Sequence, residues 1–179
     1  MECKVDILEG VVVAFDNNNI KVTGPKGEIA KELYHPWIKM QVKEKEVIIN
    51  SIRPKSGQMD KKLLNTFRSH VKNLILGVTH GYISELKICS GHFPMNVSIE
   101  GDKVTIKNFF GEKIPRKTTV MEGATAKLEG DMIIIKGLDK EVVGQSAARI
   151  EQATQIRKRD RRRFQDGCHI VTRTKLEDE

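Results

Sequence analysis

Six of the seven residues Arg157-Lys158-Arg159-Asp160-Arg161-Arg162-Arg163 are basic, and five of them are arginine. The whole chain holds ten arginines, so half of them are gathered here. Cations at this density repel one another unless an anion neutralises them. Guanidinium suits a phosphate, because its planar fork donates two parallel hydrogen bonds. The run therefore predicts a polyphosphate partner, nucleic acid above all. A basic tail that merely faces solvent is the competing reading. Arg173 and Lys175 extend the same basic segment and join the run as candidate binding residues. Lys107, Lys113, Arg116 and Lys117 flank Phe109-Phe110 and form a candidate secondary contact. One of the two phenylalanines could stack on a base, but both are read as core, since only 5% of the chain is aromatic.

Catalytic chemistry finds little support. Gly24-Pro25-Lys26-Gly27 lacks the spacing and the terminal Lys-Ser/Thr of a phosphate-binding loop and reads as a turn. The histidines His35, His70, His80, His92 and His169 offer no i, i+4 pair around a glutamate, and there is no Cys-x-x-Cys. No metal or cofactor is expected. Cys89 and His92 are close in sequence, yet nothing marks the thiol as activated, so Cys89 reads as a small buried residue. Ser90-Gly91 lacks the rest of a nucleophile elbow. Trp37, after His35-Pro36, reads as a local packing anchor, and Lys21, Lys26 and Lys31 as solvated. The chain is read as no enzyme.

Composition agrees with a binder. Net charge is +7 in 179 residues, with 39% hydrophobic and 31% charged side chains. That apolar content is enough for a core. Charge is uneven: residues 156–179 carry eight basic side chains against five acidic, whereas 81–155 carry ten of each. No run approaches the roughly 18 apolar residues of a membrane span. Met1-Glu2-Cys3-Lys4-Val5-Asp6 is not a signal peptide, and Cys3, Cys89 and Cys168 are odd in number and far apart. These features predict a cytosolic protein without disulfides.

The elements that must position the basic run repeat themselves. Ile20-Lys21-Val22-Thr23-Gly24-Pro25-Lys26-Gly27-Glu28 and Val104-Thr105-Ile106-Lys107-Asn108-Phe109-Phe110-Gly111-Glu112 align at an offset of 84. Alternation predicts a half-buried strand in each, and Gly24 and Asn108 predict a turn of positive φ after it. Asp16-Asn17 and Gly101-Asp102 predict the preceding hairpin turns. Glu46-Val47-Ile48-Ile49 and Asp131-Met132-Ile133-Ile134-Ile135 predict buried strands, each followed by a helix. Asp60 is the expected N-cap of the first, with Leu63, Leu64, Phe67, Val71, Leu74 and Ile75 inward and Gly77 just past its end. Asp139 is expected to cap the second, with Val142, Val143, Ala147, Ile150 and Ala153 inward. The predicted class is α+β: two tandem similar domains, 1–80 and 81–179, each a small mainly antiparallel sheet packed against one helix, with a basic C-terminal segment.

With these residues in place, the chain resembles the large-subunit ribosomal protein six family, in its archaeal and eukaryotic branch. Val22-Thr23-Gly24-Pro25-Lys26-Gly27 is similar to the family's strand-and-turn signature. Gly77-Val78-Thr79-His80-Gly81-Tyr82 fits the link between units. His92-Phe93-Pro94-Met95-Asn96-Val97 and Lys107-Asn108-Phe109-Phe110-Gly111-Glu112-Lys113 fit the second unit, and Asp160-Arg161-Arg162-Arg163-Phe164-Gln165-Asp166-Gly167 the C-terminal segment. Bacterial members end in a different Gly/Lys-rich segment, which is missing here. The lack of long basic extensions points to an archaeal source. The resemblance implies a duplicated fold without catalysis, bound to large-subunit (23S-type) rRNA near the factor-binding side and the sarcin–ricin region. It implies neighbouring ribosomal proteins, translation factors nearby, no membrane and no DNA. It also places Arg157, Lys158, Arg159, Arg161, Arg162 and Arg163 at the RNA. Cys168-His169 depart from the residues common in relatives, and nothing is drawn from them. From the residues alone, a general DNA-compacting protein stays open as the alternative.

Overall fold

Apolar residues at every second position turn most of both halves into antiparallel strands. A computed structural model describes residues 2–178 apart from 17, 44, 54–56 and 161. It divides the chain into two units, 1–81 and 82–179. The first runs β1 (Glu2–Asp6), β2 (Val12–Asp16), β3 (Asn19–Gly24), β4 (Gly27–Glu32), β5 (Ile38–Val42), β6 (Glu46–Ser51) and α1 (Gln58–His80). Its strands form two antiparallel sheets, β2-β3-β4 and β1-β6-β5. The second runs β7 (Tyr82–Cys89), β8 (Asn96–Glu100), β9 (Lys103–Lys107), a 3-10 turn (Phe109–Gly111), β10 (Arg116–Thr119), β11 (Ala124–Glu129), β12 (Met132–Gly137), α2 (Lys140–Ala153) and β13 (Gly167–Leu176). Its sheets are β8-β9-β10 and β11-β12-β7-β13.

The duplication is explicit in this order. β1 pairs with β6 as β7 pairs with β12, and β5 flanks β6 as β11 flanks β12. The aligned pairs Ile20/Val22 of β3 and Val104/Ile106 of β9 are fully buried in their own cores. Each such side chain is worth roughly 1.5–3 kcal/mol of apolar transfer. The α+β class and the tandem arrangement hold, with one refinement: each unit splits its strands between two sheets rather than keeping one. The second unit adds β13, for which no strand was expected. Ten residues of β13 lie opposite eight of β7, with two register shifts between Ile170 and Lys175. Arg, Thr and Lys dilute its apolar alternation, which is why the segment read only as basic.

The helix ends differ in detail from expectation. Gly57, not Asp60, is the N-cap of α1. Asp60 sits three residues in, and its carboxylate accepts from the Gly57 N–H at 2.9 Å, one half of a capping box. Gly77 lies inside α1, which ends at His80 with Gly81 as its cap at φ 74°. The Asp139 carboxylate does cap α2, accepting from the Glu141 N–H at 2.9 Å.

Two glycines are fixed by contact. Asn108 takes the left-handed conformation expected of it, φ 60°. Gly24 does not: its role is to let β3 touch α1, since an added Cβ would lie 2.7 Å from Val78 Cγ2 and 3.0 Å from the Val78 carbonyl. Gly137, at the end of β12, would place a Cβ 2.8 Å from Val143 Cγ2 and 2.9 Å from the Gly123 carbonyl. Gly24→Ala and Gly137→Ala should therefore each cost about 1–3 kcal/mol, the usual penalty for overpacking. Denaturant midpoints equal to that of the parent protein would refute this account of the two contacts.

Candidate nucleic-acid interface

The basic run is a loop anchored at both ends. The helix α2 stops at Ala153, before the run begins. The carbonyl of its last residue, left without a helical donor, and one just beyond it are met from outside. Arg116 Nη1 donates to the carbonyls of Ala153 (2.9 Å) and Gln155 (3.3 Å). The chain returns as β13, where the buried Thr154 hydroxyl oxygen accepts from the Cys168 N–H at 2.9 Å. The Glu151 carboxylate accepts from the Ile170 N–H at 3.2 Å. Burial pushes the Cys168 thiol up to about 11, against the hydrogen bond from Thr154.

A buried carboxylate closes the loop. Asp166 accepts from the N–H groups of Gly91 and His92, the latter at 2.9 Å, and its Oδ2 lies 2.6 Å from His92 Nδ1. Burial alone would raise the Asp166 carboxyl, but the His92 N–H, the His92 ring and the Gly91 N–H outweigh it and hold the carboxyl below its ordinary range. The His92 ring then packs on Phe164 at 4.9 Å, and Phe164 meets Phe110 at 5.9 Å. The Arg159 guanidinium lies over both rings, 5.0 Å from Phe164 and 5.4 Å from Phe110, a cation–π arrangement. Three loops, at 91–92, 109–111 and 157–166, are thus joined within the second unit.

The predicted residues separate accordingly. Arg157, Lys158 and Arg163 are exposed and have no acidic partner among the described residues. Arg159 is spent on the aromatic rings. Arg162 pairs with Asp160 at 3.1 Å while remaining 91% exposed, and its side chain holds the Asp160 carboxyl below the ordinary range. Arg161 lies outside the described residues. Arg173 and Lys175 are exposed at alternate positions of β13, several residues beyond the loop. There Arg173 lines a groove with Lys140, a neighbour the sequence did not suggest. Lys107, Lys113 and Lys117 are exposed around the Phe109–Gly111 turn. Arg116 is turned inward: it donates to Glu112 at 2.8 and 2.7 Å and to the Ala153 and Gln155 carbonyls, and covers the Phe109 ring at 4.2 Å.

Other expectations also meet the structure here. Phe109 is core; Phe110 is only partly buried, at φ 51°, and belongs to the ring cluster. Cys89 is half-buried rather than buried, because it faces a cavity at the foot of α2. His92 pairs with Asp166 and not with a thiol. In the first unit Trp37 is 43% exposed, with the Arg53 guanidinium 4.9 Å from its ring. Lys21 pairs with Glu28 at 3.0 Å, and the Lys26 ammonium donates to the His80 carbonyl. Among the described residues no group of three His, Cys, Asp or Glu could hold a metal ion, and no helix is long and apolar enough to cross a membrane.

The Asp166 closure gives a signed pH dependence. A carboxyl held low in the folded state contributes stability above the ordinary aspartate value of about 3.9, and that stability is lost as pH falls through the lowered value. Asp166→Ala should cost about 1–3 kcal/mol at pH 7, since it strips two N–H groups of their acceptor, and much less at pH 2. Thermal melts of both proteins at the two pH values test this; an equal difference at both would remove the carboxylate from the account.

The family described as "Ribosomal protein L6" matches residues 7–81 and again residues 93–167, one match in each unit. Three relatives carry the name large ribosomal subunit protein uL6. That of Ignicoccus hospitalis is 44% identical over 94% of this chain and 92% of its own. That of Methanosarcina mazei is 41% identical over 93% and 94%. That of Methanothrix thermoacetophila is 39% identical over 94% of each. With the α+β unit present twice and matched twice, and with these archaeal relatives spanning nearly its whole length, the chain belongs to the ribosomal protein L6 family, whose members are structural ribosomal proteins and not enzymes.

Proposed function

We propose that the chain is a structural constituent of the large ribosomal subunit in the cytoplasm, and that its 157–163 loop binds large-subunit rRNA near the factor-binding and sarcin–ricin region. The observation that carries this reading is the anchored loop with uncompensated cations: Arg157, Lys158 and Arg163 project from a segment held by Asp166, Thr154 and the Arg159 ring sandwich. Anchoring lowers the ordering cost of each phosphate contact. Arg161 and Arg162 belong to the same contact, Arg162 by exchanging Asp160 for a phosphate. Arg159 acts through position, holding the loop against the rings. Arg173 and Lys175 extend the contact along β13, and Lys107, Lys113 and Lys117 offer a secondary one; Arg116 supports the loop through its bonds to the Ala153 and Gln155 carbonyls.

RNA duplexes present shape, phosphates and 2′-hydroxyls rather than readable base edges, so recognition is chiefly of shape. Neighbouring ribosomal proteins complete the surroundings, with translation factors close by. With about six phosphates neutralised, affinity for large-subunit rRNA should fall roughly 10³-fold or more between 50 and 200 mM salt. Replacing Arg157, Lys158 and Arg163 together by alanine should lower the slope of log affinity against log salt by about 2–3 and leave the melting curve in place. An unchanged slope in filter-binding titrations would take the loop out of the interface. Competition with duplex DNA separates this reading from DNA compaction: equal competition would favour the latter.

A further inference from the structure

Beside the root of the basic loop lies a half-enclosed cavity of about 750 Å³, between the end of α2 and the start of β13. That volume falls within the range of small-molecule sites, about 300–1,000 Å³. Its wall is chemically divided. Phe164 and the half-buried Cys89 supply an apolar side. Gln155 and Gln165 line it with carboxamides that make no hydrogen bond among the described residues. Each carboxamide can donate and accept, as the edge of a nucleobase requires. Glu151 adds a carboxylate to the lining, already accepting from the Ile170 N–H. A carboxylate there repels a phosphate from the interior and can accept from an amino or imino group. Arg157, exposed and unpaired among the described residues, borders the same cavity.

We propose that this cavity receives one unstacked base of the bound RNA, with Phe164 and Cys89 against the base, the Gln155 and Gln165 carboxamides on its edge, and Arg157 on the phosphate of the same nucleotide. The inference rests on the RNA-binding reading above. Phe164 is fixed in advance by His92 at 4.9 Å and Arg159 at 5.0 Å, so the apolar wall needs no ordering when a base arrives. Single-stranded loops and bulges, whose bases are free to leave the stack, are the RNA elements that fit; a closed duplex engages only the cations.

Cys89 reports occupancy directly. In the Cys3→Ser protein, Cys89 is the accessible thiol, because Cys168 is buried. Its alkylation by iodoacetamide is followed alone, with folded large-subunit rRNA bound, and with a fully paired RNA duplex bound at equal occupancy. The rRNA should slow alkylation about tenfold or more, as expected of a stacked base, and the duplex should leave the rate within about twofold of the free protein. A second variant, Cys89→Phe, fills the cavity and should weaken rRNA binding about tenfold without changing duplex binding. If rRNA binds yet Cys89 reacts at the free rate, or if both RNAs protect it equally, the base pocket is overturned while the RNA-binding reading stands. If rRNA does not bind at all, that reading fails and takes the pocket with it.

Discussion

Six cations in seven residues repel one another, and the second unit offsets that repulsion without neutralising it. One carboxylate, Asp166, ties the loop to Gly91 and His92; the fixed His92 ring supports Phe164; Phe164 and Phe110 together seat Arg159. Only one of the anchors, Arg159, is itself drawn from the run. Arg162 is held more loosely, by an exposed ion pair with Asp160, of a kind worth little in water and readily exchanged for a phosphate. Arg157, Lys158 and Arg163 keep their charge facing outward. Division of labour among chemically identical side chains is thus decided by which of them meets an aromatic face or a carboxylate.

The same division explains how much of the molecule was legible in its residues. The repeated strands and both helices were legible because their signals are local: Ile20 and Val22 repeat as Val104 and Ile106, and Asp139 stands directly before α2. Family resemblance carried the rest of the outline, since five short segments occur in order. The closure of the loop was not legible. Asp166 and His92 are 74 positions apart, and nothing in either residue announces the other. Arg116 looked like its neighbours Lys107 and Lys117, yet its planar fork fits a glutamate and two orphan carbonyls, which an ammonium would serve less well. Gly24 looked like a turn glycine and proved to be a point of contact with Val78. The cavity escaped notice because Gln155 and Gln165 stand at opposite ends of the segment between α2 and β13 and are ordinary surface residues in sequence.

Duplication gives the two units the same plan without giving them the same ending. α1 runs for 23 residues and finishes on Gly81, whereas α2 stops after 14 and hands the chain to the basic loop. The additional strand β13 then secures the far end of that loop on β7. The repeated scaffold supplies the β7-β12-β11 sheet, and the other side of β7 pairs with β13.

The irregular pairing of β13 has a further consequence. It is the outermost strand of its sheet, and a long flat edge would recruit other chains through its free backbone groups. Two bulges interrupt its ladder, and Arg173 and Lys175 sit along it. Bulges twist an edge away from flatness, and lysine and arginine make approach of a second copy unfavourable. The strand that fastens the basic loop is thereby guarded against self-association, so the chain can stay dispersed while its sheet edge is uncovered.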